Sequence, residues 1–376
     1  MRDLWFGLGA CGLRDRVDVM VLLQNLAGGG AERVLLTLAS ALAGTGMAVR
    51  LVLVRAEGPY LDDVAHDLRR SILGPQRTRQ VLPALVHRLR LQRPRWLITG
   101  LTHVNLVGIA ARRIAMSGTR ILVTEHNRIT TDQAVPGGHW ARRLMPLVYP
   151  MADEIVAVSK GVGQDLVRAA RLPSARVRVV HNPVDCRRIA KLASEVAPHP
   201  WLVAGGPPVI LGVGRLLPQK DFATLLRAFA LLRSHRPGRL VILGEGPERE
   251  RLMTLARELD VERDVLLPGF VANPFAWLGR AWLFVLSSAW EGLPTVLIEA
   301  LACGTPVVAT DCPHGPREIL EDLGPLVPVG DANAMEQAMR RMLDAPTERR
   351  LLLDRAAAFC PDRVAAIYRQ ILAEGA

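Results

Sequence analysis

Lysine is nearly absent from this chain: of 47 Lys plus Arg residues in 376, only Lys160, Lys191 and Lys220 are lysines. An arginine bias of this kind can come from genome composition alone, but it makes the position of each lysine worth noting. The five cysteines, Cys11, Cys186, Cys303, Cys312 and Cys360, are odd in number and contain no C-x-x-C spacing. Neither a disulfide framework nor a zinc site is indicated, and a reducing cytoplasm fits best. No apolar run approaches the roughly 18 to 20 residues that span a bilayer, so membrane contact is expected at the surface only. Ser-His-Asp order, H-E-x-x-H, a Walker A loop and any D-x-D triplet are all missing. The first sixteen residues lack the long apolar stretch and small-residue cleavage site of a signal peptide and read as a poorly ordered leader.

Half of the residues are hydrophobic, and the length suits two domains, each large enough to bury a core. The charge is uneven. Residues 1 to 200 hold 28 Lys plus Arg against 15 Asp plus Glu, whereas the remainder hold 19 against 21. A basic first half can attract anionic lipid, nucleic acid or a phosphorylated substrate, or can simply be a solvated surface.

Strand-length apolar runs alternate with longer amphipathic stretches twice over. The first array comprises Val17–Leu23, Ala48–Val54, Trp96–Thr99, Arg120–Thr124, Glu154–Val158 and Arg176–Val180. After the Pro and Gly-rich stretch Ala197–Pro208, the second comprises Val209–Gly212, Leu240–Leu243, Val265–Leu267, Trp282–Leu286, Pro306–Ala309 and Leu326–Pro328. Continuous rather than alternating hydrophobic strands imply parallel sheets covered on both faces. The expected fold is therefore α/β, with two Rossmann-like domains facing across a cleft. Its expected parts are a leader (1–16), an N-terminal domain (17–196), a linker (197–208), a C-terminal domain (209–358) and a closing segment (359–376).

Open α/β sheets bind ligands beyond the carboxyl ends of their strands, so the loops there are the places to search. Strand one runs into Gly28-Gly29-Gly30-Ala31-Glu32 and a helical pattern. Such a loop can bring backbone and a helix N-terminus to an anion, or can be no more than a tight turn; its glycine order does not fit G-x-G-x-x-G. The second array opens with Gly212-Val213-Gly214-Arg215, reaching Gln219-Lys220-Asp221 before an amphipathic helix. Arg215 and Lys220 in one strand-to-helix loop can meet a diphosphate, while Asp221 can cap the helix. Gly244-Glu245-Gly246-Pro247 is a third strand-to-helix loop, with Pro247 suited to a first helical position.

The segment Ser287 to Pro306 says most. Pro294 can start a helix of about ten residues that Gly304 and Pro306 end. Glu291 lies before it and Glu299 inside it, flanking the free amides of Thr295 and Val296. Carboxylates accept from hydroxyls and repel phosphate, so each is expected to reach past a phosphate to a sugar or ribose hydroxyl. In the first half, His126 follows the strand Arg120–Thr124, and Thr102-His103-Val104-Asn105 lies near the end of an earlier one. Either histidine can donate to a substrate oxygen or serve structure alone.

Together these residues resemble the retaining glycosyltransferases of the GT-B fold, family 4. The resemblance rests on Gly28 to Glu32, Val158-Ser159-Lys160, His181-Asn182-Pro183-Val184-Asp185, Gly212 to Lys220, Gly244-Glu245-Gly246, Leu267-Pro268-Gly269-Phe270, and Glu291 to Glu299 as E-x7-E. It implies that Arg215 and Lys220 bind the donor diphosphate, Glu299 the ribose and Glu291 the transferred sugar. It also implies that Gly292, Leu293, Thr295 and Val296 hold sugar and phosphate through backbone, and that Gly244 lines the donor site. Phe270 and Val271 would lie beside the base, Gly29 and Gly30 would approach the phosphates from the other domain, and His126 would be the active-site histidine. His103 and Asn105 are kept as acceptor-side candidates. The closing helix Asp362–Leu372 is expected to pack on the first domain. Asp311 to Leu320 is similar to a bacterial subgroup acting on surface polysaccharides and lipid-linked glycans, where UDP-sugars are common donors.

The mechanism implied is front-face displacement, with the leaving phosphate helping to deprotonate the acceptor and with neither cofactor nor metal. The expected partners are a nucleotide-sugar, a glycan or polyprenyl-diphosphate-linked acceptor and an anionic membrane surface, the last through the basic amphipathic stretches Gln80–Arg95 and His139–Tyr149. A sugar-nucleotide epimerase would share the fold, but the E-x7-E segment disfavours it. A nucleic-acid binder is disfavoured because no basic helix-turn-helix or aromatic-studded sheet signature is present.

Overall fold

The structure is a computed structural model. It describes residues 17–374 except 27–28, 62–63, 65–67, 75–77, 128–137, 197–198 and 204. The leader, Gly28, Cys11 and part of the expected linker lie outside the described residues. The chain divides into two compact units. Unit 1 holds the residues up to Val158, Gly163–Val180 and those from Ala365; unit 2 holds Ser159–Val162 and His181–Val364.

In unit 1 the strands are β1 (Val19–Leu23), β2 (Val49–Leu53), β3 (Arg69–Ile72), β4 (Trp96–Gly100), β5 (Arg120–Glu125), β6 (Glu154–Ala157) and β7 (Val177–Val179). They form one sheet in the order β3-β2-β1-β4-β5-β6-β7, with every pairing parallel. The intervening helices are α1 (Gly30–Gly44), α2 (Leu82–Gln92), α3 (Thr102–Ala115), α4 (Gly138–Val148) and α5 (Lys160–Ala170), the last of which begins in unit 2 and enters unit 1 at Gly163. β1, β2 and β4 are buried along their whole length, as a doubly covered sheet requires. Met20, Leu22, Leu85, Leu89, Leu97, Ile121 and Tyr149 lie in one core. β3, which the hydrophobic pattern misses, is an edge strand whose Arg69 and Arg70 face water.

Unit 2 repeats the plan with β8 (Val209–Val213), β9 (Arg239–Leu243), β10 (Val265–Gly269), β11 (Leu283–Leu286), β12 (Val307–Thr310) and β13 (Leu326–Val327). The order is β10-β9-β8-β11-β12-β13, again parallel throughout. Its helices are α6 (Cys186–Ala193), α7 (Phe222–Arg233), α8 (Arg249–Glu258), α9 (Phe275–Leu278), α10 (Thr295–Cys303), α11 (Pro316–Leu320), α12 (Ala332–Asp344) and α13 (Arg349–Ala356). The last helix, α14 (Pro361–Glu374), begins in unit 2 and ends in unit 1. There the Trp96 indole donates to the Leu372 carbonyl (3.0 Å), and Arg178 pairs with Glu374 (2.8 Å). The two parallel-sheet Rossmann-like domains expected from the sequence are thus present.

Two local expectations change. Pro247 lies in the turn before α8, which starts at Arg249 behind Glu248, because the Glu248 amide is first tied to the Leu216 carbonyl of the β8 loop (3.1 Å). The cysteine spacing gave no hint that Cys186 and Cys360 would meet, yet their sulfurs lie 2.9 Å apart. Their separation in sequence is closed only by folding.

Candidate functional site

Strand order places the site. In unit 2 it reverses between β8 and β11, whose following helices depart to either side, opening a crevice beyond their carboxyl ends. The loop after β8 carries Arg215 and Lys220; the loop after β11 carries Ser287 to Pro294. Both segments singled out in the sequence therefore fall at the switch point of one sheet.

The β8 loop is held by backbone on two sides. Gly214 donates to the Leu243 carbonyl and Leu216 to that of Glu245, both at 2.9 Å, while Gly244 donates to Gly269 at 2.9 Å. The loops after β8, β9 and β10 are thereby laced side by side. Gly244 takes φ +136°, and a Cβ there would strike the Gly214 carbonyl oxygen; one at Gly246 would strike that of Leu216. The glycines serve this close approach of backbones. Arg215 is exposed on the loop. Asp221 caps α7 as expected: its carboxylate accepts from the Thr224 amide (3.3 Å) and hydroxyl (2.7 Å), in a left-handed conformation that Asp tolerates.

Lys220 and Glu291, read from the sequence as acting on different parts of a donor, are joined to each other. The Lys220 ammonium donates to Glu291 Oε1 at 2.6 Å, and Ser288 Oγ donates to the same oxygen at 2.6 Å. Around them Ser287 Oγ donates to the Lys220 carbonyl (2.7 Å), Gln219 Nε2 to the Trp290 carbonyl (2.9 Å), and Thr310 Oγ1 to the Ser288 carbonyl (2.6 Å). Both charged side chains are largely buried. Burial, and then the Glu291 charge, push the nearby Cys312 thiol up to about 12, so it stays protonated. Sequence reasoning missed Ser287, Ser288, Gln219 and Thr310, because small polar residues carry no signal until their partners are located.

α10 starts at Thr295 behind Pro294 and ends on Gly304 at φ +69°. The Thr295 and Val296 amides occupy its first two positions, where no intrahelical acceptor exists. Glu299 is buried inside α10. One turn on, the Cys303 thiol is raised to about 12, by burial first and then by the Glu299 charge. Gly292 and Leu293 precede the helix, and the Gly292 carbonyl accepts from Ser159 Oγ at 2.9 Å. Beside it the Lys160 amide donates to both Glu318 oxygens (2.9 and 3.0 Å), and His181 Nε2 lies 3.3 Å from one of them. Burial alone would raise the Glu318 carboxyl, but His181 and the Lys160 and Gly161 amides hold it below its ordinary range. Phe270 is exposed just past β10, with half-buried Val271 beside it.

Gly29, Gly30, His103, Asn105 and His126 belong to unit 1. Gly29 precedes α1 and Gly30 is its first residue. His126 is buried beyond β5, with Nε2 2.9 Å from Thr124 Oγ1. His103 lies in the first turn of α3, where Nε2 is 2.6 Å from Gln24 Oε1. Asn105, expected on the acceptor side, is instead fully buried and committed internally. Its carbonyl accepts from Thr99, and its amide donates to the Thr124 carbonyl (2.9 Å), Glu125 (3.0 Å) and Tyr149 (3.1 Å). Tyr149 also donates to Glu125; burial, then the Glu125 charge, raises the phenol well above its ordinary value.

Solved structures share this fold. Anabaena Alr3699/HepE in complex with UDP and glucose superposes with TM-score 0.78 over 96% of this chain and all of that one, at 18% identity. The lipopolysaccharide outer core galactosyltransferase WaaB, apo form, gives 0.73 over 95% and 99%, at 19% identity. Residues 28–188 match the family described as Glycosyltransferase Family 4, and residues 195–358 that described as Glycosyl transferases group 1. With these two matches in tandem on two Rossmann-like domains, the chain belongs to the GT-B glycosyltransferases of the family 4 type.

One relative is the Campylobacter jejuni N-acetylgalactosamine-N,N'-diacetylbacillosaminyl-diphospho-undecaprenol 4-alpha-N-acetylgalactosaminyltransferase, 39% identical over 203 residues, or 54% of this chain and 53% of the relative. Another is the Salmonella typhimurium lipopolysaccharide 1,6-galactosyltransferase, 30% identical over 176 residues, or 45% and 46%. The chain matches about half the length of these curated relatives.

Proposed function

We propose that the chain is a retaining glycosyltransferase of bacterial surface glycan synthesis. It moves a hexose or N-acetylhexosamine from a UDP-sugar to a glycan or polyprenyl-diphosphate-linked acceptor. The observation that carries this reading is the Lys220–Glu291–Ser288 cluster beside the α10 N-terminus, at the switch point of unit 2. Support for the donor comes from the UDP and glucose held by a neighbour of the same fold, and for the acceptor from the diphospho-undecaprenol substrate named for the Campylobacter relative.

In this reading the Lys220 ammonium, which has donors beyond the one given to Glu291, and the exposed cation of Arg215 meet the diphosphate. The Thr295 and Val296 amides add the helix end. Glu291 takes a sugar hydroxyl and Glu299 the ribose, with Phe270 and Val271 beside the base. The glycosidic bond to phosphate breaks as the acceptor oxygen forms its bond on the same face, and the leaving phosphate accepts the acceptor proton. Charge growing on that phosphate is stabilised by cations and dipoles already in place, so no divalent metal is needed. His126 assists the acceptor side. Peripheral attachment to anionic lipid on the inner face of the cytoplasmic membrane brings enzyme and lipid-linked acceptor together.

The test is transfer from a panel of UDP-sugars and GDP-mannose to bacterial membrane lipids, with and without EDTA, followed by NMR of the anomeric linkage. An unchanged α configuration and EDTA-resistant turnover are expected. An inverted linkage would remove the retaining mechanism; release of an epimerised nucleotide-sugar without acceptor would replace the transferase by an epimerase.

A further inference from the structure

Two basic amphipathic stretches stand out in the first half of the sequence, and the structure treats them differently. α2 spends its apolar face on the core: Leu85, Val86 and Leu89 are buried there, with Val81 just before the helix. α4 buries Met145 and packs Val148 against the core, with Tyr149 just beyond the helix, and leaves a second apolar stripe outside. Trp140 is 60% exposed, Leu144 45%, Leu147 68% and, past the helix end, Met151 44%. Spacings of four, three and four residues put these side chains on one face of a helical turn sequence. Arg142 and Arg143 are exposed beside them.

The neighbouring helices extend the same character. α3 packs against both α2 and α4. Across Leu82–Gln92, Thr102–Ala115 and Gly138–Val148 the sequence holds Arg88, Arg90, Arg112, Arg113, Arg142 and Arg143 but no Asp or Glu. At the end of α3, Ile114 and Met116 are exposed as well. The carboxylates that follow α4 are engaged elsewhere, Asp153 with Arg112 and Glu154 with Arg178. A contiguous apolar stripe beside the exposed Arg142 and Arg143, on a helix without a carboxylate of its own, is costly to leave in water and matches the two layers of an anionic bilayer, acyl region under negative headgroups. A nucleic acid would satisfy the arginines and leave the leucines and Trp140 exposed.

We infer that the outer face of α4, carrying Trp140, Leu144, Leu147 and Met151, with the exposed Arg142 and Arg143 on the same helix, is the docking surface of this chain on an anionic lipid bilayer. It deepens the peripheral attachment in the functional reading by assigning that attachment to one helix face, and it stands without the sugar or acceptor being known. Trp140 and the leucines enter the headgroup and upper acyl region; the arginines pair with lipid phosphates.

The test uses the full chain and vesicles of phosphatidylglycerol with phosphatidylethanolamine, against phosphatidylcholine alone. Flotation with the anionic vesicles, and a blue shift with rising intensity of tryptophan emission lost in W140F, are expected. Leu147→Glu together with Leu144→Gln should lower partitioning by about tenfold or more while leaving the far-ultraviolet circular dichroism and the affinity for UDP unchanged. Leu91→Gln, on α2, should leave flotation intact. The inference is overturned if the α4 variant floats like the parent. It is equally overturned if light scattering shows a dimer that the variant dissolves while neither protein floats, which would make the face a contact between copies, or if oligonucleotide rather than vesicle is retained. UDP binding without flotation would sink the lipid face and leave the donor reading standing; flotation without UDP binding would do the reverse.

Discussion

Removing the Lys220 ammonium is the sharpest perturbation the site allows, because it separates a structural pair from a charge needed by the reaction. Lys220→Ala leaves Glu291 largely buried with its Ser288 hydrogen bond but without its cation. Breaking a fully buried pair from one side costs about 3–5 kcal/mol. The retained hydroxyl and partial exposure bring the expected loss nearer the ~2 kcal/mol of a charge-assisted hydrogen bond. For a unit of this size that lowers Tm by roughly 4–8 °C, leaving a folded protein at 25 °C. Losing a preorganised cation on a departing phosphate costs a further ~10²–10³ in turnover. Glu291→Gln and the double variant complete a cycle: stability effects should be strongly non-additive, since the two groups touch. Turnover is followed as UDP released in the presence of acceptor, and stability by thermal unfolding. If Lys220→Ala loses the expected stability yet transfers sugar within about threefold of the parent, the pair is structural and the electrostatic argument is wrong.

Gly244→Ala should destabilise unit 2 by about 1–3 kcal/mol and weaken UDP binding, because its Cβ meets the Gly214 carbonyl oxygen at a positive φ; urea unfolding and calorimetry check the two effects separately. Tyr149→Phe should cost ~1.5–3 kcal/mol, since the buried Glu125 loses one hydroxyl donor while Asn105 still serves it. Glu318 has a folded-state pKa below its ordinary value, so its contribution is fully present above the unfolded carboxyl range and is lost as pH falls through the folded pKa. The Tm gap between parent and Glu318→Gln should therefore be widest near neutrality and close as pH is lowered below about 4. Cys186 and Cys360 should cross-link when an excess of a low-molecular-weight disulfide is supplied, two thiols giving one disulfide as the reagent is reduced; a non-reducing peptide map would show it, and Cys360→Ser would abolish it.

Much of the candidate site was legible because it consists of loops bounded by strong local signals. A buried strand, a glycine turn and a helix start can be read in order for Gly212 to Asp221 and for Ser287 to Gly304 without knowing where either lies in space. Capping by Asp221 and termination by Gly304 follow from backbone geometry within a few residues, and both were found. The exposed edge strand Arg69–Ile72 was not legible, since its two arginines break the apolar run that marks a central strand. Asn105 was misplaced for a related reason: its partners Thr99, Thr124, Glu125 and Tyr149 come from three other places in the chain, and only their convergence shows that the amide is used internally.

The sequence by itself determined the class of fold and the family, because hydrophobic period, turn residues and motif order are local properties that survive without coordinates. Tertiary structure alone decided which side chains share an environment. It set Lys220 on Glu291, closed Ser288 and Thr310 around them, brought Cys186 to Cys360, and turned one basic helix into the core while leaving the apolar stripe of the other outside. Such contacts depend on strand order and on which helix face meets the sheet, and neither is fixed by residues adjacent in the chain.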